Sequence, residues 1–127
     1  MMNYHINHHL QKFCRETPDI LGCAMIDLEG VITASVLSRK IDEDLIGGMS
    51  SSMLGIGERI SAELMDSDLE QVYVRSPNGY VILNAVGDQA LLLVLAAKRA
   101  KLGLVFMEIQ RTVEELQKAV EAEKWLS

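Results

Sequence analysis

Residues 69–97 read Leu-Glu-Gln-Val-Tyr-Val-Arg-Ser-Pro-Asn-Gly-Tyr-Val-Ile-Leu-Asn-Ala-Val-Gly-Asp-Gln-Ala-Leu-Leu-Leu-Val-Leu-Ala-Ala, and this stretch decides the fold class. Pro77-Asn78-Gly79 and Gly87-Asp88-Gln89 are turn signals that divide it into three strands, 69–76, 80–86 and 90–96, forming an antiparallel meander. The second and third strands are apolar at both parities. Successive side chains of a strand point to opposite faces of the sheet, so both faces must be covered here, and helices lie on both sides. The first strand carries Glu70, Gln71 and Arg75, which marks it as the sheet edge.

Upstream, residues 42–64 repeat Ile46, Met49, Met53, Ile56, Ile60 and Leu64 at spacings of three and four, the pattern of an amphipathic helix. Asp42 is its expected N-cap, with Glu43 and Asp44 in the first turn, where the helix dipole favours negative charge. Residues 22–27 and 31–35 read as a hairpin turning at Leu28-Glu29-Gly30. Ile6, Leu10 and Phe13 make 5–16 a short first helix. Leu102, Phe106, Ile109, Val113, Leu116 and Val120 give a last helix over about 101–124. The expected class is therefore α+β, in the order αββαβββα, with a five-stranded antiparallel sheet between helical layers.

The helix over 42–64 also holds Gly47, Gly48, Gly55 and Gly57. Each interior glycine costs about 0.5–1 kcal/mol against alanine, so packing must offset them. At about 100° per residue, Gly48, Ser51, Ser52 and Gly55 form a stripe of small side chains turned roughly 130° from the Met49, Met53, Ile56, Ile60 stripe. The expectation is a helix with two working faces, the apolar one on the sheet and the small one open to close approach by a second helix. Leu54 falls between them as an isolated apolar residue that a partner could cover.

With 127 residues, the chain is expected to form one domain over 1–127. A net charge of −6 leaves no basic footprint for phosphate backbones, so no nucleic acid is expected. The longest apolar stretch, 90–97, is too short to span a bilayer, and the N-terminal ten residues carry Asn3, His5, Asn7 and His8 where a signal peptide needs an apolar run. A cytoplasmic protein with no membrane insertion is expected. Cys14 and Cys23 form no CxxC, and they read as small, reduced core residues. His5, His8 and His9 place two imidazoles on one helical face but bring no further ligand, so a solvated face is expected and no metal. No GxSxG, GxxxxGK[ST] or HExxH occurs. The chain is therefore expected to be no enzyme, with no catalytic residue and no cofactor.

The run 21–35 (Leu-Gly-Cys-Ala-Met-Ile-Asp-Leu-Glu-Gly-Val-Ile-Thr-Ala-Ser), Gly-Ile-Gly-Glu-Arg at 55–59, the segment 69–79, Val86-Gly87-Asp88 and Lys101-Leu102-Gly103-Leu104 together resemble the Roadblock/dynein light chain family over about residues 5–120. That resemblance implies a profilin-like sandwich. It also implies a homodimer in which the second helices pair and the third strands join two sheets, and a place beside Ras-like small GTPases as activator or scaffold. The dimer contacts it implies are Gly48, Ser51, Ser52 and Gly55 on the helix, with Val72, Tyr73 and Val74 on the strand. The GTPase would meet Leu54, Glu58 and Arg59. An arginine finger at Arg59 is disfavoured, because Arg59 shares a side of the helix with Gly48 and Gly55. A scaffold for motor or signalling complexes without a GTPase, and a small-ligand sensor, are the alternatives. A sensor would need convergent polar groups in a pocket.

Overall fold

The computed structural model describes residues 2–37 and 41–126, and the side chains of 5–37 and 41–122. Its elements are α1 (Met2–Glu16), β1 (Ile20–Asp27), β2 (Ile32–Leu37), α2 (Glu43–Met65), β3 (Gln71–Ser76), β4 (Gly79–Val86), β5 (Ala90–Ala97) and α3 (Leu102–Leu126). The sheet is five-stranded and antiparallel in the order β2-β1-β5-β4-β3. The class, element order and sandwich are those expected, and β3 is an edge.

The two-sided strands divide their side chains by parity. Cys23 and Met25 of β1, Ile82 and Val86 of β4, and Leu92 and Val94 of β5 face one layer. There they meet Ile6, Leu10 and Phe13 of α1 and Val105, Ile109, Val113 and Leu116 of α3. Ala24 and Ile26, Leu83, and Leu91 and Leu93 face the other layer, where Ile46 of α2 joins them. Thus α1 and α3 share one face and α2 has the other to itself. The pairing of α1 with α3 extends to the surface, where Glu115 takes His9 at 3.1 Å and Lys12 at 3.5 Å. His9 is thereby half-buried against α3 rather than on a solvated face. Among the described residues no three His, Cys, Asp or Glu side chains group as metal ligands.

Turn chemistry fixes the strand ends. In the β1–β2 turn the Asp27 carboxylate accepts from the backbone N–H of Glu29 at 2.9 Å and of Val31 at 3.0 Å, and Gly30 takes φ +85°. The β3–β4 turn falls at the expected Pro77-Asn78-Gly79 signal. Ser76 pairs with Gly79 across the strands, so Pro77 and Asn78 occupy the two central positions. The proline ring holds φ near −65° and so excludes the primed turn that an Asn-Gly centre would make.

Candidate interaction surface

Helix α2 begins as read from sequence, with the Asp42 carboxylate accepting from the N–H of Asp44 at 3.0 Å and of Leu45 at 3.2 Å. It ends at Asp66, whose φ of 50° is left-handed and whose N–H reaches the Ser61 carbonyl. Between these caps the helix is continuous, and its seating on the sheet splits the expected apolar row: Ile46 and Met53 pack inward, while Met49, Ile56, Ile60 and Leu64 face outward. The buried residues are Ile46, Gly47, Ser50 and Gly57, with Met53 and Leu54 half-buried beside them.

The reason is how closely the helix approaches its neighbours. A Cβ on Gly47 would run into the carbonyl oxygen of Gly30 in the β1–β2 turn, and one on Gly57 would meet the Leu69 side chain at 2.9 Å. Small residues therefore let α2 lie close to its own chain. The rest of the apolar row points outward with Leu45 beside it: Leu45 is 55%, Met49 57%, Ile56 63% and Ile60 53% exposed. Met49, Ile56 and Ile60 are thus not core residues, and Leu45 is a surface residue that the periodicity did not single out.

On the helix surface this apolar row lies beside Gly48, Ser52 and Gly55, the small residues of the expected dimer stripe. Those three are exposed, and nothing within 4 Å would meet a Cβ on Gly48 or Gly55. Ser52 Oγ donates to the Gly48 carbonyl at 3.1 Å. Ser51 does not belong to this face. Its Oγ is 2.8 Å from where a Cβ on Gly30 would sit, and it is buried without a hydrogen-bond partner among the described residues. On β3, Val72 is half-buried against the α2-side core, while Tyr73 and Val74 are exposed, the Tyr73 ring 5.4 Å from Phe106 of α3.

The three residues expected to meet a GTPase are not brought together as one patch. Leu54 is packed against the core under α2 and is not an isolated surface leucine. With Glu58, Asp68, Leu69 and Asp88 it lines a cleft of about 470 Å³ between α2 and the β4–β5 turn. Arg59 lies on the outer face, exposed, 3.7 Å from Glu63 one turn along the helix. The sequence signal for this division was the second row of small residues, Gly47, Ser50 and Gly57, at spacings of three and seven.

Cys14 and Cys23 come together in the opposite layer, their Sγ atoms 3.1 Å apart. The hydrogen bond with Cys23 holds the Cys14 thiol below its ordinary range. That same bond, with burial, pushes the Cys23 thiol up.

The Roadblock/LC7 domain family model matches residues 6–96, from α1 through β5. The chain belongs to the Roadblock/LC7 domain family. The archaeal protein MJ1340 of Methanocaldococcus jannaschii is 29% identical to this Roadblock/LC7 chain over 102 residues, which span 80% of it and 89% of the relative. Among solved structures, Myxococcus xanthus MglB superposes with a TM-score of 0.87 at 18% identity, covering 94% of this chain and 90% of that one. Acanthamoeba castellanii profilin IA gives 0.62 at 12% identity, covering 93% and 98%. These structural likenesses establish the fold, a profilin-like sandwich. Among the described residues no helix is long and apolar enough to cross a membrane.

Proposed function

We propose that the chain, as one domain over 1–127, is a non-enzymatic homodimeric regulator of a Ras-like small GTPase. In this proposal the α2 helices of two copies pair through Leu45, Met49, Ile56 and Ile60 around Gly48, Ser52 and Gly55. The β3 edges, with Val72, Tyr73 and Val74, continue one sheet into the other, and the GTPase docks on the paired helices beside Arg59. The observation that carries this is the outer face of α2, a row of four large apolar side chains, each more than half exposed, beside small residues. Exposed apolar rows of this kind mark protein–protein contacts. Family membership supports the GTPase as the partner.

Light scattering at micromolar concentration is expected to return twice the chain mass, and Ile56→Asp is expected to return the monomer with an unchanged circular dichroism spectrum. A monomeric wild type overturns the dimer. Single-turnover hydrolysis by a Ras-like GTPase of the same genome, with and without the dimer, then tests the partner. The wild-type dimer should bind the GTP form, and Ile56→Asp should lose that binding. Faster hydrolysis identifies an activator, and binding without acceleration identifies a docking scaffold. A stable wild-type dimer that ignores the GTP form overturns the GTPase assignment.

A further inference from the structure

We propose that Cys14 and Cys23 are a thiol pair that closes to an intramolecular disulfide, with a small-molecule disulfide of the glutathione class as oxidant. Cys14 sits in the last turn of α1 and Cys23 in β1, on the side of the sheet that α1 covers. Their sulfurs are already 3.1 Å apart, about 1 Å more than the roughly 2.05 Å of a disulfide bond. The two residues differ in access. Cys14 is half-buried, whereas Cys23 is fully buried with its Sγ 3.6 Å from the Leu10 carbonyl oxygen.

That difference assigns the order of events. Cys14 is the sulfur that an incoming oxidant can reach, and its lowered pKa raises the fraction present as thiolate, the nucleophilic form. The Cys14 thiolate attacks one sulfur of the oxidant and expels the other as a thiolate, leaving a mixed disulfide on Cys14. Cys23 then loses its proton and attacks Cys14 Sγ, expelling the second thiol. Capping Cys14 removes the hydrogen bond and the charge with which Cys14 raises the Cys23 pKa, leaving burial as the remaining cause, so the first step prepares the second. In total, two protein thiols are oxidised to one disulfide, and the oxidant takes up two electrons and two protons to become two thiols.

The bond would tether the end of α1 to β1 on the face opposite α2, so it does not rest on the regulator reading above and leaves the outer face of α2 unchanged. Constraining the short segment 14–23 in the unfolded chain raises the thermal midpoint by about 5–10 °C.

The full-length protein is incubated with oxidised glutathione and followed by intact-mass spectrometry, non-reducing peptide mapping and thermal melting. The expected product is a monomeric chain lighter by two hydrogens, with a Cys14–Cys23 cross-linked peptide, formed at a rate independent of protein concentration and melting higher than the reduced form. Cys23→Ala should stop at one glutathione on Cys14, and Cys14→Ala should stay unmodified while folded. A wild-type protein that keeps glutathione on Cys14 without closing, that cross-links only between chains, or whose two thiols stay reduced while Cys23→Ala melts cooperatively overturns the proposal.

Discussion

Gly47 and Gly48 are adjacent and chemically identical, yet their surroundings are opposite: one backs onto the Gly30 carbonyl, the other faces open space. Gly47→Ala should therefore force α2 off the β1–β2 turn and destabilise the fold by about 1–3 kcal/mol, as overpacking does. Gly48→Ala, measured in the Ile56→Asp background to keep the chain monomeric, should instead raise stability by about 0.5–1 kcal/mol through helix propensity alone. Urea unfolding checks both, and equal effects would mean that the helix does not seat on Gly30. The sequence shows two glycines in a helix but not which of them a distant turn will touch, because Gly30 and Gly47 are brought together only by the fold. What was legible at this scale was local chemistry. The Asp42 cap depends on residues two and three positions away, and so it could be read directly.

For α2 as an element, apolar periodicity located the helix to within a residue at each end but could not tell which side is inside. A stripe that packs on a sheet and a stripe that awaits another chain have the same spacing. The strands were easier. Being apolar at both parities, β4 and β5 required two covering layers whichever helices supplied them, and the structure supplies α1 with α3 on one side and α2 on the other. The division of the apolar row has a measurable consequence. Ile46→Ala, at a buried position in the core cluster that holds Ile26 and Leu91, should cost about 2–4 kcal/mol. Ile60→Ala, at an exposed one, should leave the stability of the monomer within about 0.5 kcal/mol. Were the costs exchanged, Ile60 and not Ile46 would be the residue that packs on the sheet. Leu54 belongs with Ile46 in this comparison, since its side chain packs into the same core. A charge there would damage the fold before it reported on any partner.

At the scale of the whole molecule, the outer face of α2 sets how stability depends on concentration. Leu45, Met49, Ile56 and Ile60, each more than half exposed in one row of α2, leave each protomer with unburied apolar surface that a second copy can cover. If folding and pairing are linked in this way, each tenfold rise in protein concentration stabilises the folded dimer by roughly 1.4 kcal/mol relative to unfolded monomers. The thermal midpoint of the wild type should therefore climb with concentration, while that of Ile56→Asp should not. A wild-type midpoint constant from low to high micromolar concentration would show that the face is not buried by self-association. The same geometry bears on stoichiometry. An isologous pair of α2 helices makes one continuous surface across its twofold axis, so a GTPase centred there blocks a second copy. The expected complex holds two copies of this chain and one GTPase, which titration calorimetry reads as a midpoint near one GTPase per two chains. A midpoint near one per chain would move the docking site off the axis, towards the cleft that Leu54 and Glu58 line in each protomer, one site per chain.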